Sequence, residues 1–455
     1  MAFDLLVKDG LLVIPEAGIH KATLAIKGEK IVGIFENADC LEAEKVVQAE
    51  GHYVMPGIVQ PHAHLGRLEK LEDYASETAS AAIGGVTTTL IFHRDTGDYD
   101  LQLPEVIRTA ARKAYTDFSL HLQVMSDRHV EKIPLYLEKY GISSYKFNMG
   151  YRGRESVKKG IIELNDGVML AAFSNLSKMG KVVACIHAEN SEINAYNTAK
   201  HRQAGHSGLS TWLEARPSIS EAEGIHRALY FGGLTRCPLY FAHMTTRAGL
   251  ELIREHRRQG LSPVYIETCP QYLTHDIDCG LGETAKFIPP LRTSADREAL
   301  WQGLVHEDID AIGVDQITRK MDPADVGIWE RSTAPRESAT LLPVLISEGH
   351  HRRGLSLESI ARLTSYNPAR IFNLYPKKGT LSVGSDADIV LVDIHQEKKV
   401  TPDIIRSASD YSVYDGWVLK GWPVLTLCRG KTIIQEGRIV ADGRGWGAYI
   451  SRKDN

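Results

Sequence analysis

The sequence predicts an α/β chain in which a (β/α)8 barrel is inserted into a small β-sandwich built from both chain ends. Three observations carry this. Between Val54 and about Tyr375, apolar β-rich runs alternate eight times with amphipathic stretches. Before and after that region the apolar residues alternate in short runs broken by turn signals, without a helical period. Neither terminal segment is long enough to bury a core by itself, so each needs the other.

The elements follow in order. Residues 1–53 read as strands in DLLVKDGLLVI, KATLAIKGEKIVGIF and KVVQAEGHYVM, with turns at Asp9-Gly10 and Gly28-Glu29-Lys30. An antiparallel sheet is expected there. Its partner is residues 376–440, where GSDADIVLVD and SVYDGWVLKGWPVLTLCRGKTIIQEGRIV repeat the same chemistry. The barrel is expected over 54–375. Its strands are YVMPGIV, VTTTLIF, FSLHLQV, SSYKFNM, VVACIHA, LYFAHMT, VYIETC and IDAIGVD, and its helices include LPEVIRTAARKAY and REALWQGLVHE. Residues 441–455, short, basic and Gly-rich, read as a C-terminal arm.

Composition narrows the function. Fifty-three Lys and Arg face 57 Asp and Glu, and no long basic run exists, so there is no footprint for nucleic acid or an anionic membrane. Small-molecule chemistry is the better expectation. The start MAFDLLVKDG brings charges too early for a signal peptide, and no apolar run would span a bilayer, so a cytoplasmic protein is expected. The six cysteines show no Cys-x-x-Cys spacing and read as reduced core residues.

The chemistry is concentrated at strand ends. In PGIVQPHAHLG, His62 and His64 are two apart on a strand and point to the same side, so both imidazoles can reach one metal ion. Lys146 closes the fourth run, His187 the fifth, His243 the sixth and Asp315 the eighth. Singly, each has a plain structural reading: His187 could be a core histidine bonded to Glu189, and His243 could be similar. A lysine in SSYKFNM and an acid ending AIGVD are harder to bury without a partner. Active sites of (β/α)8 barrels lie at the C-terminal strand ends, where all six residues would meet. Four imidazoles, a carboxylate and a lysine exceed one tetrahedral site. They suit two divalent metals if Lys146 is carbamylated and bridges them. Imidazole and oxygen ligands fit zinc, with manganese, cobalt, nickel or iron as alternatives.

The His-x-His motif, YKFNMGY, HAEN, AHMTT, ETCPQYL, PPLR, NPARIFNLYPKKGTLSVGSDADIVLVD and DYSVYDGWVLKGWP together resemble the dihydropyrimidinase and hydantoinase family of cyclic amidohydrolases over nearly the whole chain. The resemblance implies that His62, His64 and Asp315 bind one metal, His187 and His243 the other, with Lys146 as the carbamate bridge. It implies that a bridging hydroxide attacks a ring amide carbonyl and that Asp315 takes its proton and passes it to the leaving nitrogen. Tyr151, five residues after Lys146, would hydrogen-bond the carbonyl oxygen. A homotetramer or homodimer is implied, with the terminal arm helping association.

Four positions depart from that family. Gln60 replaces an aspartate expected to orient a ligand imidazole, and Gln316 replaces a histidine after Asp315. Ile288 replaces a serine that helps hold the substrate imide, and a downstream Pro-Gly turn is missing in VGIWERSTAPRESATLLP. These changes point to a substrate atypical for the family. Arg292, Arg319, Lys320, Arg331 and Arg336 in the same loops, with His93 and Arg94 after the second strand, offer contacts for an anionic or unusually substituted cyclic amide. Alternatives are an amidohydrolase of an allantoin-like ureide, a lactam or an open-chain amide, a non-catalytic dihydropyrimidinase-like scaffold, or a deaminase on the same barrel. Retention of all six ligand positions argues against the scaffold.

Overall fold

The computed structural model describes residues 3–66, 70–150 and 164–453. Its strands are β1 (Phe3–Ile14), β2 (Gly18–Lys27), β3 (Lys30–Phe35), β4 (Ala43–Gln48), β5 (Tyr53–Pro56), β6 (Ile58–Ala63), β7 (Val86–His93), β8 (Asp117–Gln123), β9 (Ser144–Asn148), β10 (Val183–His187), β11 (Leu239–Phe241), β12 (Val264–Thr268), β13 (Ala311–Ile312), β14 (Ile389–Lys399), β15 (Val418–Cys428), β16 (Lys431–Gln435) and β17 (Arg438–Ile439).

β6 to β13 pair in parallel in sequence order, the eight-stranded arrangement expected of a (β/α)8 barrel. The ring closes through Gln316, whose backbone N–H donates to the His62 carbonyl at 3.0 Å and whose carbonyl accepts from His64 N at 2.7 Å. Val59, Leu90, Phe92, Val183, Cys185, Tyr240, Ala242 and Ala311 make one buried cluster with Phe372, Leu374 and Ile450, so the barrel interior is packed. Helices start directly after the strand ends that carry His187 and His243 on polar caps: Asn190 accepts from Glu192 N and Ile193 N, and Thr246 from Gly249 N. Each reversal takes three residues beyond His187 or His243, which confines both rings to the strand-end rim.

The second sheet has nine strands and comes from both chain ends, as expected. Leu5, Val7, Leu24 and Ile26 from the start bury against Ile389, Leu391, Leu425 and Leu427 from the end. Two expectations need correcting. The sheet is mixed, because β4 and β5 both run parallel to β1. YVMPGIV is not one barrel strand but two: β5 pairs with β1 and β14 in the terminal sheet, and only β6 enters the barrel. The switch is at Gly57, where a Cβ would come within 2.2 Å of Thr87 Oγ1 and 2.9 Å of Asp388 Cβ. Only glycine lets the chain cross between the sheets so closely.

The C-terminal segment is not a free arm. Phe118 N donates to the Ala448 carbonyl and Ile450 N to the Phe118 carbonyl, which pins residues 448–450 beside the start of β8. The fully buried Arg452 guanidinium donates to Ser119 Oγ, Ser144 Oγ and the Leu120 carbonyl. The segment therefore caps the N-terminal end of its own barrel.

Candidate metal centre and active site

Two ligand groups form at the C-terminal rim. Asp315 Oδ1 lies 3.1 Å from His62 Nε2 and 3.1 Å from His64 Nε2. One ligand atom from each of these three residues falls within 4.8 Å of the others, a spacing that can hold a cation. In the second group His187 Nδ1 is 2.9 Å from His243 Nε2. The His62 and His243 ring centres are 5.4 Å apart, so the two groups are neighbours. His187 also keeps its plain partner, with Nε2 at 2.7 Å from Glu189 Oε2, which turns Nδ1 towards His243.

Lys146 acts electrostatically on both groups. It is 3 % exposed, and its Nζ has no hydrogen-bond partner among the described residues. The ammonium sits 4.6 Å above the Phe92 ring, and its charge depresses both His62 and His243. Burial lowers the Lys146 pKa, which favours the neutral amine needed for carbamylation. An orphaned, deprotonation-prone lysine whose charge acts on His62 and His243 fits a bridging carbamate and two divalent ions.

Electrostatics separate the ligands. Burial pushes His62 down, but Glu267 and Asp315 outweigh it and raise its pKa. His243, buried beside His187 and Lys146, is lowered well below the usual histidine value, so its nitrogen is free to ligate. Burial would raise Asp315, yet Arg336 and His62 hold it well below the carboxylate range. Arg336 Nη2 stands 3.1 Å from Asp315 Oδ2, and Arg336 Nε donates to the Asp315 carbonyl at 2.7 Å. His243 and Asp315 both adopt positive φ, 44° and 56°, which is uncommon for residues other than glycine. Strain of this kind persists where surrounding bonds over-determine it.

Glu267 supplies such a bond at His243, as Arg336 does at Asp315, and the sequence reading missed Glu267. Its Oε1 accepts from His62 Nδ1 at 2.7 Å and from His243 N at 3.0 Å, and its Oε2 accepts from Tyr240 OH at 2.7 Å. One carboxylate thus orients a ring of the first group and the backbone of the second. The signal was present in VYIETC, an acid in an apolar strand like the one that marked Asp315.

The departures also resolve. Gln60 does not orient an imidazole: its Oε1 accepts from His62 N at 2.6 Å, and its Nε2 donates to the His62 carbonyl at 2.7 Å. Gln60 and Gln316 meet at one hydroxyl, since Ser338 Oγ accepts from Gln60 Nε2 and donates to Gln316 Oε1. Gln316 Nε2 then donates to Glu77 Oε2 at 3.1 Å. The two glutamines form one neutral network beneath the His-x-His strand.

Among the proposed substrate contacts, Arg292 is buried and engaged within the protein, donating to Thr245 Oγ1, the Arg216 carbonyl and Glu221 Oε2. It braces the loop after His243. His93 and Arg94 line a cavity of about 170 Å³ with Leu65, Tyr74 and Phe92. Ile288 is half-buried against the main core. Arg331 donates to the Pro323 and Val326 carbonyls, and Lys320 is exposed. Tyr151 lies outside the described residues.

Residues 53–440 match the amidohydrolase family. The chain is 32% identical over 466 residues to a D-hydantoinase of Geobacillus stearothermophilus, covering 98% of this chain and 96% of that protein. It is 30% identical over 463 residues to an L-hydantoinase of Paenarthrobacter aurescens, covering 99% of each. The chain belongs to the hydantoinase branch of the amidohydrolase family. It is a hydrolase of cyclic-amide C–N bonds. The fold agrees throughout: the dihydropyrimidinase structure from Brevibacillus agri NCHU1002 superposes with a TM-score of 0.90 at 26% identity over 98% of both chains.

Proposed function

We propose that this hydrolase uses two divalent metals to open the ring of a cyclic amide or imide that is atypical for its family. The reading rests on one observation above all: Lys146 is buried without a hydrogen-bond partner among the described residues, close enough to His62 and His243 for its charge to act on both. His62, His64 and Asp315 would hold one ion, His187 and His243 the other, and carbamylated Lys146 both. When bound, the ions, zinc first among candidates, supply Lewis acidity at the amide carbonyl and lower the pKa of water.

The chain's own groups do the rest. Glu267 keeps the His62 ring in one tautomer and orientation. Asp315, with Oδ1 turned to both imidazoles, keeps Oδ2 to take a proton and return it to the leaving nitrogen. Arg336 shares that oxygen and makes Asp315 a weaker base. Tyr151 would donate to the carbonyl oxygen as charge develops. The Ile288 side chain offers no hydrogen bond to an imide, so a plain hydantoin or dihydrouracil would lose the contact a serine hydroxyl makes there. We further propose a cytoplasmic homotetramer or homodimer.

The test is purification with zinc or manganese and bicarbonate, metal analysis, and NMR of ring opening across hydantoin, dihydrouracil, carboxylated rings, allantoin, lactams and cyclic imides. Turnover with two metals per chain, both lost in Lys146→Ala, is expected. Protein that binds no metal and opens no ring would return the scaffold reading; two metals without turnover of any ring would move the substrate to open-chain amides.

A further inference from the structure

We propose that Arg336 is a specificity residue that selects a ring bearing a carboxylate. This rests on the metal-dependent ring-opening reading and names the substrate class for that site. Arg336 is 7 % exposed, and only one edge of its guanidinium is used: Nε meets the Asp315 carbonyl and Nη2 meets Asp315 Oδ2. Nη1 is buried with no hydrogen-bond partner among the described residues. A guanidinium has five N–H donors in a fixed fork, so the edge containing Nη1 keeps a pair of parallel donors. That pair matches a carboxylate bidentately. A charged donor left buried and unsatisfied is costly, which is the reason to expect a ligand there.

The surroundings favour an anion on the substrate. The guanidinium lies 5.8 Å from the Phe287 ring centre, and Ala334 N donates to the Lys286 carbonyl at 2.8 Å, so the Arg336 strip is fastened to the strip carrying Ile288. Backbone bonds between Ile317 and Arg336, 3.0 and 3.1 Å, hold it from the other side, against the loop that follows Asp315. The strip carrying the aliphatic Ile288 and the strip carrying the Arg336 cation thus lie side by side, with Nη1 enclosed and unpaired among the described residues. Arg292, also buried, has a counter-charge in Glu221 and a partner at each of its three nitrogens. Arg336 is one carboxylate away from the His62–His64 pair, so an anion on its outer edge would sit within a ring's breadth of the metal ligands.

Arg336 also touches Asp315, so a substitution will disturb every substrate, and the decisive readout is a ratio. Metal-loaded wild type, Arg336→Lys and Arg336→Gln would be compared on matched pairs: hydantoin-5-acetate against 5-methylhydantoin, and dihydroorotate against dihydrouracil. Wild type is expected to prefer the acid of at least one pair. Arg336→Gln should cut that preference by about 10- to 100-fold, the range for a lost charged hydrogen bond, mostly in KM, with Arg336→Lys between the two. Calorimetric titration with the same rings reads binding apart from turnover. Tighter binding of the acid, lost in Arg336→Gln, sustains the proposal even where no ring opens, an outcome that would fell the cyclic-amide reading alone. Equal binding of acid and neutral rings, no binding of either, or one common loss for both members of a pair would overturn it.

Discussion

At the scale of the residue, this site is organised by carboxylates as much as by imidazoles. Glu267 and Asp315 each bind two elements at once, and the site's two residues with positive φ are both fastened, His243 by Glu267 and Asp315 by Arg336. Glu267→Gln keeps the size of the side chain, but its amide can accept from only one of its atoms, so His62 Nδ1, His243 N and Tyr240 OH cannot all be satisfied. Loss of such an outer partner of a metal ligand typically costs about 10- to 100-fold in metal affinity or activity, and that range is expected here. Competition with a chelator and metal analysis of the folded variant will measure it; unchanged affinity would remove Glu267 from the centre. The candidate ligands were legible because side chains able to bind metal are conspicuous at the ends of apolar strands. Glu267 was not singled out because its three partners lie far away in sequence, on strands β6 and β11 and at the end of the latter.

At the scale of the element, the barrel and the terminal sheet are joined by charge as well as by apolar contact. Lys378 Nζ, fully buried, meets Asp117 at 2.5 Å, Asp388 at 2.8 Å and Asp386 at 2.9 Å, and Arg429 Nε also reaches Asp117 at 3.0 Å. Asp117 opens β8 of the barrel, whereas Asp386, Asp388 and Arg429 belong to the terminal sheet and its approach. Burial alone would lower the Lys378 pKa, but the three carboxylates carry it well above the usual lysine value. Lys378→Met fills the space and strands buried negative charge, and breaking such a pair costs about 3–5 kcal/mol. Urea unfolding of the variant should show that loss as a lower midpoint; a midpoint within error of wild type would mean that the acids take up protons at no cost. Strand positions were legible from apolar runs, but the division of YVMPGIV was not. Pattern alone cannot tell which of two sheets a β-rich run joins, and Gly57 reads as an ordinary turn glycine until Thr87 and Asp388 are packed against it.

At the scale of the whole molecule, residues 407–412 return from the terminal sheet to the barrel and are held there by two buried acids. Glu77 accepts from Ser407 Oγ and Ala408 N, and Glu337 accepts from Ser412 Oγ. Burial pushes the Glu337 carboxyl up to about 8, partly offset by Ser412. The folded state therefore binds this proton more tightly than the unfolded chain does. Stability from this group is full below the unfolded carboxylate value and declines as pH rises towards about 8, by at most about 1.4 kcal/mol per pH unit. Glu337→Gln should flatten that slope between pH 5 and 8 in denaturant titrations, relative to wild type. Parallel slopes would mean that Glu337 is already ionised in the folded protein. No helix among the described residues is long and apolar enough to cross a membrane.

By itself the sequence determined the fold class, the pairing of the two chain ends and the six candidate ligands, because hydrophobic period and ligand chemistry are local properties of a chain. It also marked Gln60, Gln316 and Ile288 as unusual. Only the tertiary structure decided what those residues do. Gln60 and Gln316 became one network because Ser338 comes between them from 22 residues beyond Gln316. Arg292 and Arg336, alike in the sequence, took different roles because a hydroxyl, a carbonyl and a carboxylate together engage all three nitrogens of the first, whereas Asp315 engages only one edge of the second. The C-terminal segment became the cap of its own barrel because Arg452 finds its acceptors on β8 and β9, more than 300 residues earlier. Such roles depend on which unsatisfied groups meet in space, and that is settled only when the chain closes on itself.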